Sequence, residues 1–275
     1  MTVEGEVARH YTQSELTRTV LDALRSAGKN TDALTPADLA GVDEFHTGWG
    51  PQTVALAQTL ELTPQLKVLD VGSGIGGPAR HFASAYGCDV TGIDLTPAFV
   101  ELANELTVRT GLADRVRFVQ GSALALPFAD ESFDLATMNH VGMNIADKPA
   151  HFAAVRRALR PGGRFMIYDV MQVREGEVPM PMPWAETAET SFVETPANYR
   201  AMLAAAGFTV LRERDWTTFV VEGFAKMRAR IEKEGMPVVG LHLLLGPSAR
   251  ESLGRVVACI EAGLLAPTEI VAVAV

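Results

Sequence analysis

A glycine-rich turn between a predicted strand and a predicted helix carries the residues best suited to bind a charged ligand. Gly72, Gly74 and Gly76 alternate with other residues, and Asp70 stands two positions before the first of them. Glycines let the chain bend sharply and bring backbone N–H groups close to a ligand at a helix N-terminus. The carboxylate of Asp70 would repel a phosphate here and attract an ammonium group. The turn therefore predicts a ligand with a cationic end.

A second carboxylate, Asp94, ends the next predicted strand, where it can accept hydrogen bonds from ribose hydroxyls. That position serves either a dinucleotide or S-adenosylmethionine. Gly72, Gly74 and Gly77 also satisfy the G-x-G-x-x-G pattern of dinucleotide sites, so an NAD-dependent oxidoreductase is the alternative. The α-ammonium group of a methionine moiety is favourable beside Asp70, whereas pyrophosphate is not. The pattern favours S-adenosylmethionine, with S-adenosylhomocysteine as the product.

Polar residues follow the fourth predicted strand, where an ordinary connection would need none. His140 is our candidate catalytic residue, as a general base or a substrate-orienting group, because its ordinary pKa lies near neutrality. A hydrogen bond to a loop carbonyl is the alternative role. We expect Asn139 to contact the amino-acid end of the cofactor, and Met143 to contact the substrate beside His140.

Two further segments are candidates for covering a substrate. His46 lies between Phe45 and Thr47 and is expected either to close the pocket or to be an unimportant loop residue. Trp184 lies in a proline- and methionine-rich stretch over residues 175–195 that has no regular period. This stretch is expected to be a substrate lid, with an irregular surface loop as the alternative. Methionine and tryptophan suit an apolar or cationic substrate.

Strand and helix patterns alternate along most of the chain, starting near residue 66. The predicted strands cover residues 66–71, 89–94, 116–120, 133–138, 164–170, a run from 208, and 269–275. The predicted helices include residues 6–27, 53–60, 78–86, 197–206 and 221–265, the last interrupted near 235–237 and 246–247. This alternation predicts an α/β fold with a mostly parallel sheet and helices on both faces.

Five ordered motifs resemble those of class I S-adenosylmethionine-dependent methyltransferases. They are Val68-Leu-Asp-Val-Gly-Ser-Gly-Ile-Gly-Gly77, Gly92-Ile-Asp-Leu95, Gly121-Ser-Ala-Leu124 with Leu126-Pro-Phe128, Ser132-Phe-Asp134, and Leu159-Arg-Pro-Gly-Gly163. The nearest branch contains ubiquinone-biosynthesis C-methyltransferases, tocopherol methyltransferases and sarcosine/dimethylglycine N-methyltransferases. The resemblance is strong over about residues 68–170 and weak in the flanks. It implies a Rossmann-like seven-stranded sheet with an antiparallel last strand, extra N-terminal helices and a lid of helices and loops.

The resemblance also implies individual cofactor contacts. Asp70, Gly72, Ser73 and Gly74 would line the methionine end, and Asp94 would hold the ribose. Leu95 would cover the adenine, Ser122 and Ala123 would meet its edge, and Tyr11 would be an aromatic that touches the cofactor or packs in the core. The family commonly has an acidic residue where Ser122 stands. A hydroxyl accepts the hydrogen bond of an amino group more weakly than a carboxylate does.

The composition of the chain limits which kinds of partner it is expected to bind. The formal net charge is −9, from 24 basic and 33 acidic residues, which disfavours nucleic acid. The two cysteines are far apart, and no metal is expected. The N-terminus is acidic and lacks the apolar region of a signal peptide, and the longest apolar run, residues 238–245, is too short to cross a bilayer. We expect a cytoplasmic monomer or homodimer that acts on a small molecule without binding a membrane.

We expect two parts in the chain. Residues 1–60 would form an N-terminal helical cap, and residues 61–275 would form the methyltransferase domain. Substrate-lid insertions are expected at about 175–195 and 217–266. The expected reaction is an in-line displacement of the methyl group, with N- or O-methylation favoured and S- and C-methylation left open. The enzyme's main task is then to hold the two reactants in line with water excluded.

Overall fold

The computed structural model describes residues 2–11, 15–245 and 249–275. Its strands are β1 Lys67–Val71, β2 Asp89–Asp94, β3 Val116–Gln120, β4 Phe133–Asn139, β5 Leu159–Gln172, β6 Phe208–Asp215 and β7 Leu265–Ala274. Its helices are α1 Val3–Tyr11, α2 Leu16–Ser26, α3 Pro36–Leu39, α4 Trp49–Ala57, α5 Gly77–Tyr86, α6 Pro97–Arg109, α7 Lys148–Ala158, α8 Pro196–Ala205, α9 Thr217–Glu234, α10 His242–Leu245 and α11 Ala249–Glu261.

The strands form one seven-stranded sheet in the order β3-β2-β1-β4-β5-β7-β6. β1 pairs in parallel with β2 and β4, and the parallel pairing extends to β3 and β5. β7 is antiparallel to both β5 and β6. The predicted seven-stranded sheet with an antiparallel last strand is confirmed. The strand order reverses between β1 and β4, and a crevice for a ligand forms at the carboxyl ends of strands at such a point.

Apolar side chains on the two faces of the sheet explain why helices cover both. Successive residues of a strand point to opposite faces. In β1, Leu69 and Val71 pack towards α7 and α8, whereas Val68 packs towards α4, α5 and α6. α5 begins with Pro78 in its first turn and ends at Gly87, whose φ of 75° suits a helix C-cap. In this central part, the helix limits set by the local sequence and the packing of the helices on the sheet are therefore consistent with each other.

Two predicted helices differ from the structure. The helix predicted over residues 6–27 was wrong as a single element, because α1 and α2 are separate helices and residues 12–14 lie outside the described part. The run predicted over 221–265 corresponds to three helices, α9, α10 and α11, and α9 begins earlier than predicted, at Thr217. α9 stops at Gly235, whose φ of 81° is unfavourable for other residues, so the predicted interruption there is confirmed. The second predicted interruption lies largely outside the described residues.

Several strand and helix limits also shifted. β5 begins at Leu159, immediately after α7, and its pairing with β4 is irregular between Phe133 and Leu135. β7 begins at Leu265, earlier than predicted, because its whole length pairs with β5. α4 begins at Trp49 and ends at Ala57, earlier than the prediction. Sequence patterns commonly locate an element better than they locate its ends.

The segments outside the central α/β part pack in two apolar clusters. One contains residues of α2, α3, α6 and α10. The other joins the end of β5, the segment after it, α9 and α11, and it buries Trp184, Met182 and Met143. Across the described ranges 2–11, 15–245 and 249–275, no helix has both the length and the apolar character needed to span a bilayer. These two clusters hold the covering segments over the carboxyl ends of the strands.

Candidate active site

A cavity of about 200 Å³ lies where the carboxyl ends of β1, β2 and β4 meet. The glycine turn after β1 lines it, together with loops after β3 and β4 and three residues of α1. Asp70, Gly72, Ser73, Gly74, Asp94, Leu95, Ala123, Asn139, His140 and His46 all line this cavity. The structure thus brings together most of the residues predicted to bind the cofactor.

The glycine turn needs glycine for different reasons at different positions. All three of Gly72, Gly74 and Gly76 have positive φ, at 67°, 52° and 89°. A Cβ atom on Gly72 would lie 2.2 Å from the side chain of Val141, so this position is closed by packing. A Cβ atom on Gly74 would meet nothing within 4 Å, so this glycine faces open space. Gly74 therefore lets a ligand approach the backbone closely.

Asp70 presents an unsatisfied carboxylate oxygen to the cavity. The residue is 2% exposed, and its Oδ1 accepts a hydrogen bond from Thr137 Oγ1 at 2.8 Å. Neither Oδ2 of Asp70 nor Oδ1 of Asn139 has a hydrogen-bond partner among the described residues, although both atoms are buried. Burial raises the pKa of Asp70 to about 7, and the hydrogen bond from Thr137 opposes that rise. Unpaired buried acceptors are costly, so this pair fits a ligand that donates hydrogen bonds, such as an ammonium group.

Asp94 is held rigidly across the glycine turn. Its Oδ2 accepts a hydrogen bond from the Gly74 backbone N–H at 2.8 Å, and its Oδ1 accepts one from Thr96 at 2.8 Å. Burial raises the pKa of Asp94, while these backbone hydrogen bonds oppose the rise. Each carboxylate oxygen keeps a lone pair for a further donor. The arrangement fits a ligand with neighbouring hydroxyl groups.

The predicted adenine contacts are only partly brought together. Leu95 and Ala123 line the cavity, whereas Ser122 is not among the lining residues. Ser122 instead donates its hydroxyl hydrogen to the carboxylate of Glu4, on α1, and accepts a hydrogen bond from Leu124 N at 3.0 Å. Ser73 lines the cavity with its buried Oγ unpaired within the described part of the chain. The side chain of Tyr11 lies outside the described residues.

The loop after β4 is anchored to β5 at several points. The His140 backbone N–H donates to Tyr168 O at 2.7 Å, and His140 has a φ of 56°. Asp169 Oδ1 accepts from the Val141 and Gly142 N–H groups at 2.9 and 3.3 Å, and its Oδ2 accepts from Tyr199 Oη at 2.8 Å. These contacts fix the backbone in a conformation that only a few per cent of non-glycine residues adopt.

A chain of hydrogen bonds fixes the protonation of the His140 ring. Tyr168 Oη donates to the Thr47 carbonyl oxygen at 3.1 Å, because a carbonyl can only accept. The single hydrogen of Tyr168 is then used, so Thr47 Oγ1 donates to Tyr168 Oη at 3.0 Å. Thr47 Oγ1 must in turn accept from His140 Nε2, 3.1 Å away. The ring hydrogen of neutral His140 therefore lies on Nε2.

His140 is neutral near pH 7 and keeps one lone pair for a ligand. Burial lowers the pKa of His140 well below its usual range, and the neighbouring His46 lowers it further. With Nε2 protonated, Nδ1 carries the lone pair, and no hydrogen bond from the described residues occupies it. His140 lines both the main cavity and a smaller one. Nδ1 can accordingly accept a hydrogen bond, or a proton, from a bound molecule.

His46 is buried and differs from His140 in its surroundings. Its Nδ1 lies 3.1 Å from the Thr47 carbonyl oxygen, and its Nε2 lies 2.9 Å from Glu44 Oε2. Thr53 Oγ1 also donates to Glu44 Oε2, at 2.7 Å. His46 Nε2 also lies 2.9 Å from Thr53 Oγ1, so hydrogen-bond partners within the protein occupy both nitrogens of the His46 ring. It separates the two cavities as a fixed wall and offers no lone pair to a substrate.

A second cavity, of about 40 Å³, lies on the far side of His46 and His140. Its lining is mainly aromatic and aliphatic and includes Trp49, Trp184 and Phe224. Trp184 is fixed by a hydrogen bond from its Nε1 to Ser191 Oγ at 2.9 Å, and its backbone oxygen accepts from Asn144 Nδ2 at 2.7 Å. This cavity suits a small apolar group adjacent to the histidine pair.

Met143 lies apart from both cavities. It is 2% exposed and packs in the cluster that contains Trp184. Its backbone oxygen accepts a hydrogen bond from Phe192 N at 2.7 Å, which connects the loop after β4 to the segment over 175–195. Its predicted contact with substrate stays a prediction, without support from this position.

The sequence-based prediction missed four residues of the site: Glu4, Glu44, Thr47 and Tyr168. The closely spaced polar residues Glu44, His46 and Thr47 were a usable signal, since they lie beside the aromatic residues Phe45 and Trp49 and are all buried in the structure. Tyr168 resembled an ordinary strand residue of β5, and Glu4 an ordinary surface residue of an acidic helix. Both owe their roles to contacts made far along the chain.

Comparisons with known proteins agree with this geometry. Residues 69–167 match a family model described as a methyltransferase domain. A sterol 24-C-methyltransferase of Gibberella zeae is 37% identical over 42% of this chain and 30% of its own length. A probable tocopherol O-methyltransferase of Oryza sativa subsp. japonica is 41% identical over 36% of this chain and 28% of its own length. The chain thus matches about a third of the length of these curated relatives.

Solved structures share the fold over the whole chain. A geranyl diphosphate C-methyltransferase from Streptomyces coelicolor A3(2) has a TM-score of 0.69 at 19% identity, covering 100% of this chain and 99% of its own. These matches and the family model confirm the resemblance drawn from the sequence motifs, and they give the NAD-dependent alternative no support. The match of residues 69–167 to the methyltransferase domain family, together with the shared fold, supports a class I S-adenosylmethionine-dependent methyltransferase.

Proposed function

We propose that this protein transfers a methyl group from S-adenosylmethionine to a small-molecule acceptor and releases S-adenosylhomocysteine. One observation carries the proposal: Asp70 Oδ2 and Asn139 Oδ1 are buried, unpaired acceptors that line the cavity beside the open backbone of Gly74. An α-ammonium group satisfies both. A pyrophosphate group in the same place would face the Asp70 carboxylate, which is unfavourable.

The remaining cofactor contacts follow from the same cavity. Asp94 holds the ribose hydroxyls, and Leu95 and Ala123 provide apolar walls for the base. Ser73 and the turn backbone lie along the amino-acid end. Bound in this way, the cofactor supplies an electrophilic methyl group. The protein's own part is to orient the acceptor and to exclude water.

His140 is the proposed catalytic residue, and Nδ1 is its reactive atom. A hydroxyl or amine acceptor that enters from the small cavity can donate its hydrogen to this lone pair. That contact orients the oxygen or nitrogen lone pair for displacement and removes the proton as the new bond forms. This favours N- or O-methylation. His46 contributes by position, as the wall between the cavities.

The acceptor class follows from the lining of the smaller cavity. Trp49, Trp184 and Phe224 favour an uncharged, apolar body or a cationic group over an anion. We propose that the segments over 175–195 and 217–266 cover the acceptor and that residues 1–60 act as a cap, working as a monomer or homodimer in the cytoplasm. Methylation of carbon is the second candidate, because relatives named as a sterol 24-C-methyltransferase and a geranyl diphosphate C-methyltransferase resemble this chain.

Calorimetry with S-adenosylhomocysteine and with NAD(H) tests the cofactor. Binding of NAD(H) alone would contradict the proposal. An acceptor screen that measures S-adenosylhomocysteine release then tests the reaction, using small amines, phenols, quinols, and sterol and prenyl compounds for the carbon alternative. With the accepted substrate, His140→Ala should lower kcat and leave S-adenosylhomocysteine affinity nearly unchanged. Full activity in that variant would remove His140 from the catalytic role.

A further inference from the structure

We infer that Glu4, on the N-terminal helix α1, accepts a hydrogen bond from the 6-amino group of the adenine ring and makes the site selective for a 6-aminopurine. The inference rests on the proposed S-adenosylmethionine site and adds to it a residue far from the glycine turn.

The first support is the position of α1 over the cavity. Val3, Glu4 and Val7 lie on one face of this helix, at i, i+1 and i+4, and all three line the cavity. The two valines close the cavity with apolar side chains. Glu4 is the only acidic residue that the described part of α1 contributes to the lining, since Glu6 is absent from it. α1 therefore places one carboxylate at an otherwise apolar wall.

The second support is the hydrogen bonding of Glu4. Ser122 donates its hydroxyl hydrogen to one oxygen of the Glu4 carboxylate. Ser122 is itself fixed, because its Oγ accepts from Leu124 N at 3.0 Å. The contact orients the Glu4 carboxylate without using its second oxygen, Oε2, which has no hydrogen bond from the described residues. That oxygen is available to a donor in the cavity.

The third support is the order of groups along the cavity. Asp70 and Asp94 take the ammonium and ribose ends, so the base must extend past Asp94 towards Leu95, Ala123 and Leu124. These residues form apolar walls that suit the faces of a purine ring. Glu4 contacts Ser122, the immediate neighbour of Ala123, and so lies at the edge of that space. The exocyclic amine is the hydrogen-bond donor that adenine presents at its edge, and a carboxylate accepts it more strongly than a hydroxyl.

This assignment explains how Ser122 can stand where related enzymes commonly carry an acidic residue. The carboxylate comes from α1 instead, and Ser122 holds it in place. Cofactor binding would consequently also fasten α1 over the cavity.

The test compares two ligands on the full chain by calorimetry: S-adenosylhomocysteine and its 6-deamino analogue, which carries hydrogen in place of the amino group. The wild type should bind the analogue about tenfold more weakly, since a hydrogen bond to a charged group contributes roughly that factor or more. Glu4→Ala should bind the two ligands with nearly equal affinity. Glu6→Ala, on the same helix but outside the cavity lining, is the matched control and should keep the tenfold preference.

Glu4→Ala combined with Ser122→Asp is the rescue variant and should regain the preference for the amino group. Equal binding of both ligands by the wild type would overturn the inference, as would a tenfold preference that persists in Glu4→Ala. If Glu4→Ala keeps the tenfold preference, Glu4 only holds α1 in place. This conclusion would stand even if the variant bound both ligands more weakly than the wild type. Failure of the wild type to bind either ligand would contradict the proposed function itself, and this inference with it.

Discussion

The hydroxyl oxygen of Thr47 lies 3.1 Å from Nε2 of His140, and this contact joins the segment before α4 to the loop after β4. Thr47 also contacts Tyr168 through its hydroxyl and its carbonyl oxygen. Tyr168 and Thr47 each have one hydroxyl hydrogen to donate. Because the Thr47 carbonyl oxygen can only accept, it determines the direction of every hydrogen bond from Tyr168 to His140. We therefore propose Thr47 as a positioning residue, which fixes the hydrogen of neutral His140 on Nε2 and leaves Nδ1 for the acceptor.

Replacing Thr47 with valine should lower kcat by about fivefold, because the His140 ring loses the partner that fixes its hydrogen on Nε2, and one such hydrogen bond is worth about 1 kcal/mol. The affinity for S-adenosylhomocysteine should change little. The measurement is steady-state kinetics on the accepted substrate together with calorimetry. Thr110→Val is the control, because Thr110 bonds only carbonyls of its own helix. An unchanged kcat in Thr47→Val would refute the positioning role.

The affinity for S-adenosylhomocysteine should depend on pH through Asp70. Without ligand the pKa of Asp70 is about 7, so below pH 7 the carboxyl group is protonated and must release a proton to pair with the ammonium group. Affinity should therefore fall by up to about tenfold per pH unit between pH 7 and pH 5 and be nearly flat from pH 7 to pH 8. Calorimetry in two buffers of different ionisation enthalpy measures the released proton. Asp70→Asn should bind more weakly and show no such slope.

The same carboxylate should make the ligand-free protein less stable at high pH. The folded-state pKa of Asp70 lies above its unfolded value of 3.8, so its stabilising contribution is complete below about pH 4 and is lost as the pH rises through 7. Asp70→Asn should thus gain stability over the wild type between pH 5 and pH 8, by at most about 4 kcal/mol. Urea denaturation at each pH measures the difference. Asp114 is exposed, so Asp114→Asn should not differ from the wild type in its free energy of unfolding. If Asp70→Asn also matched the wild type at every pH, burial would not raise the pKa of Asp70.

Local sequence patterns were sufficient to predict the sheet and to bring Asp70, the glycine turn and Asp94 to one cavity. Asp70, the glycine turn and Asp94 are close in sequence to the strand ends that carry them, so their spacing alone predicts where they meet. The contact of Thr47 with His140 spans 93 residues, and that of Glu4 with Ser122 spans 118. Such contacts depend on how helices pack onto the sheet, which no local pattern specifies. For the same reason the sequence left open whether His46 closes the pocket or is an unimportant loop residue, whereas in the structure it is buried and both of its ring nitrogens have partners.

A buried ion pair should hold the segment that carries His46 against α5. Arg80 is fully buried, and its Nη2 donates to Asp43 Oδ2 at 3.1 Å and to Ile75 O at 2.6 Å. Arg80→Met should lower the free energy of unfolding by about 3–5 kcal/mol, because Asp43 is left buried without its partner. Adding Asp43→Asn should recover part of that loss. Arg115→Met, which breaks the more exposed pair with Asp89, should cost less than about 1 kcal/mol.

Denaturant unfolding of the wild type and these three variants checks this prediction. If Arg80→Met and Arg115→Met lower the free energy of unfolding equally, burial does not determine how much the Arg80–Asp43 ion pair stabilises the fold.

Gly74 and Gly111 provide a matched comparison between backbone strain and ligand contact. Both have positive φ, at 52° and 69°, and a Cβ atom on either would meet nothing within 4 Å. Alanine at either position should therefore lower the free energy of unfolding by about 1–2 kcal/mol, through the left-handed conformation alone. Gly74 lines the cavity whereas Gly111 does not, so only Gly74→Ala should weaken S-adenosylhomocysteine binding, by about tenfold or more. Calorimetry on both variants at one temperature measures this, and equal affinities would mean that the turn backbone at Gly74 does not approach the cofactor closely.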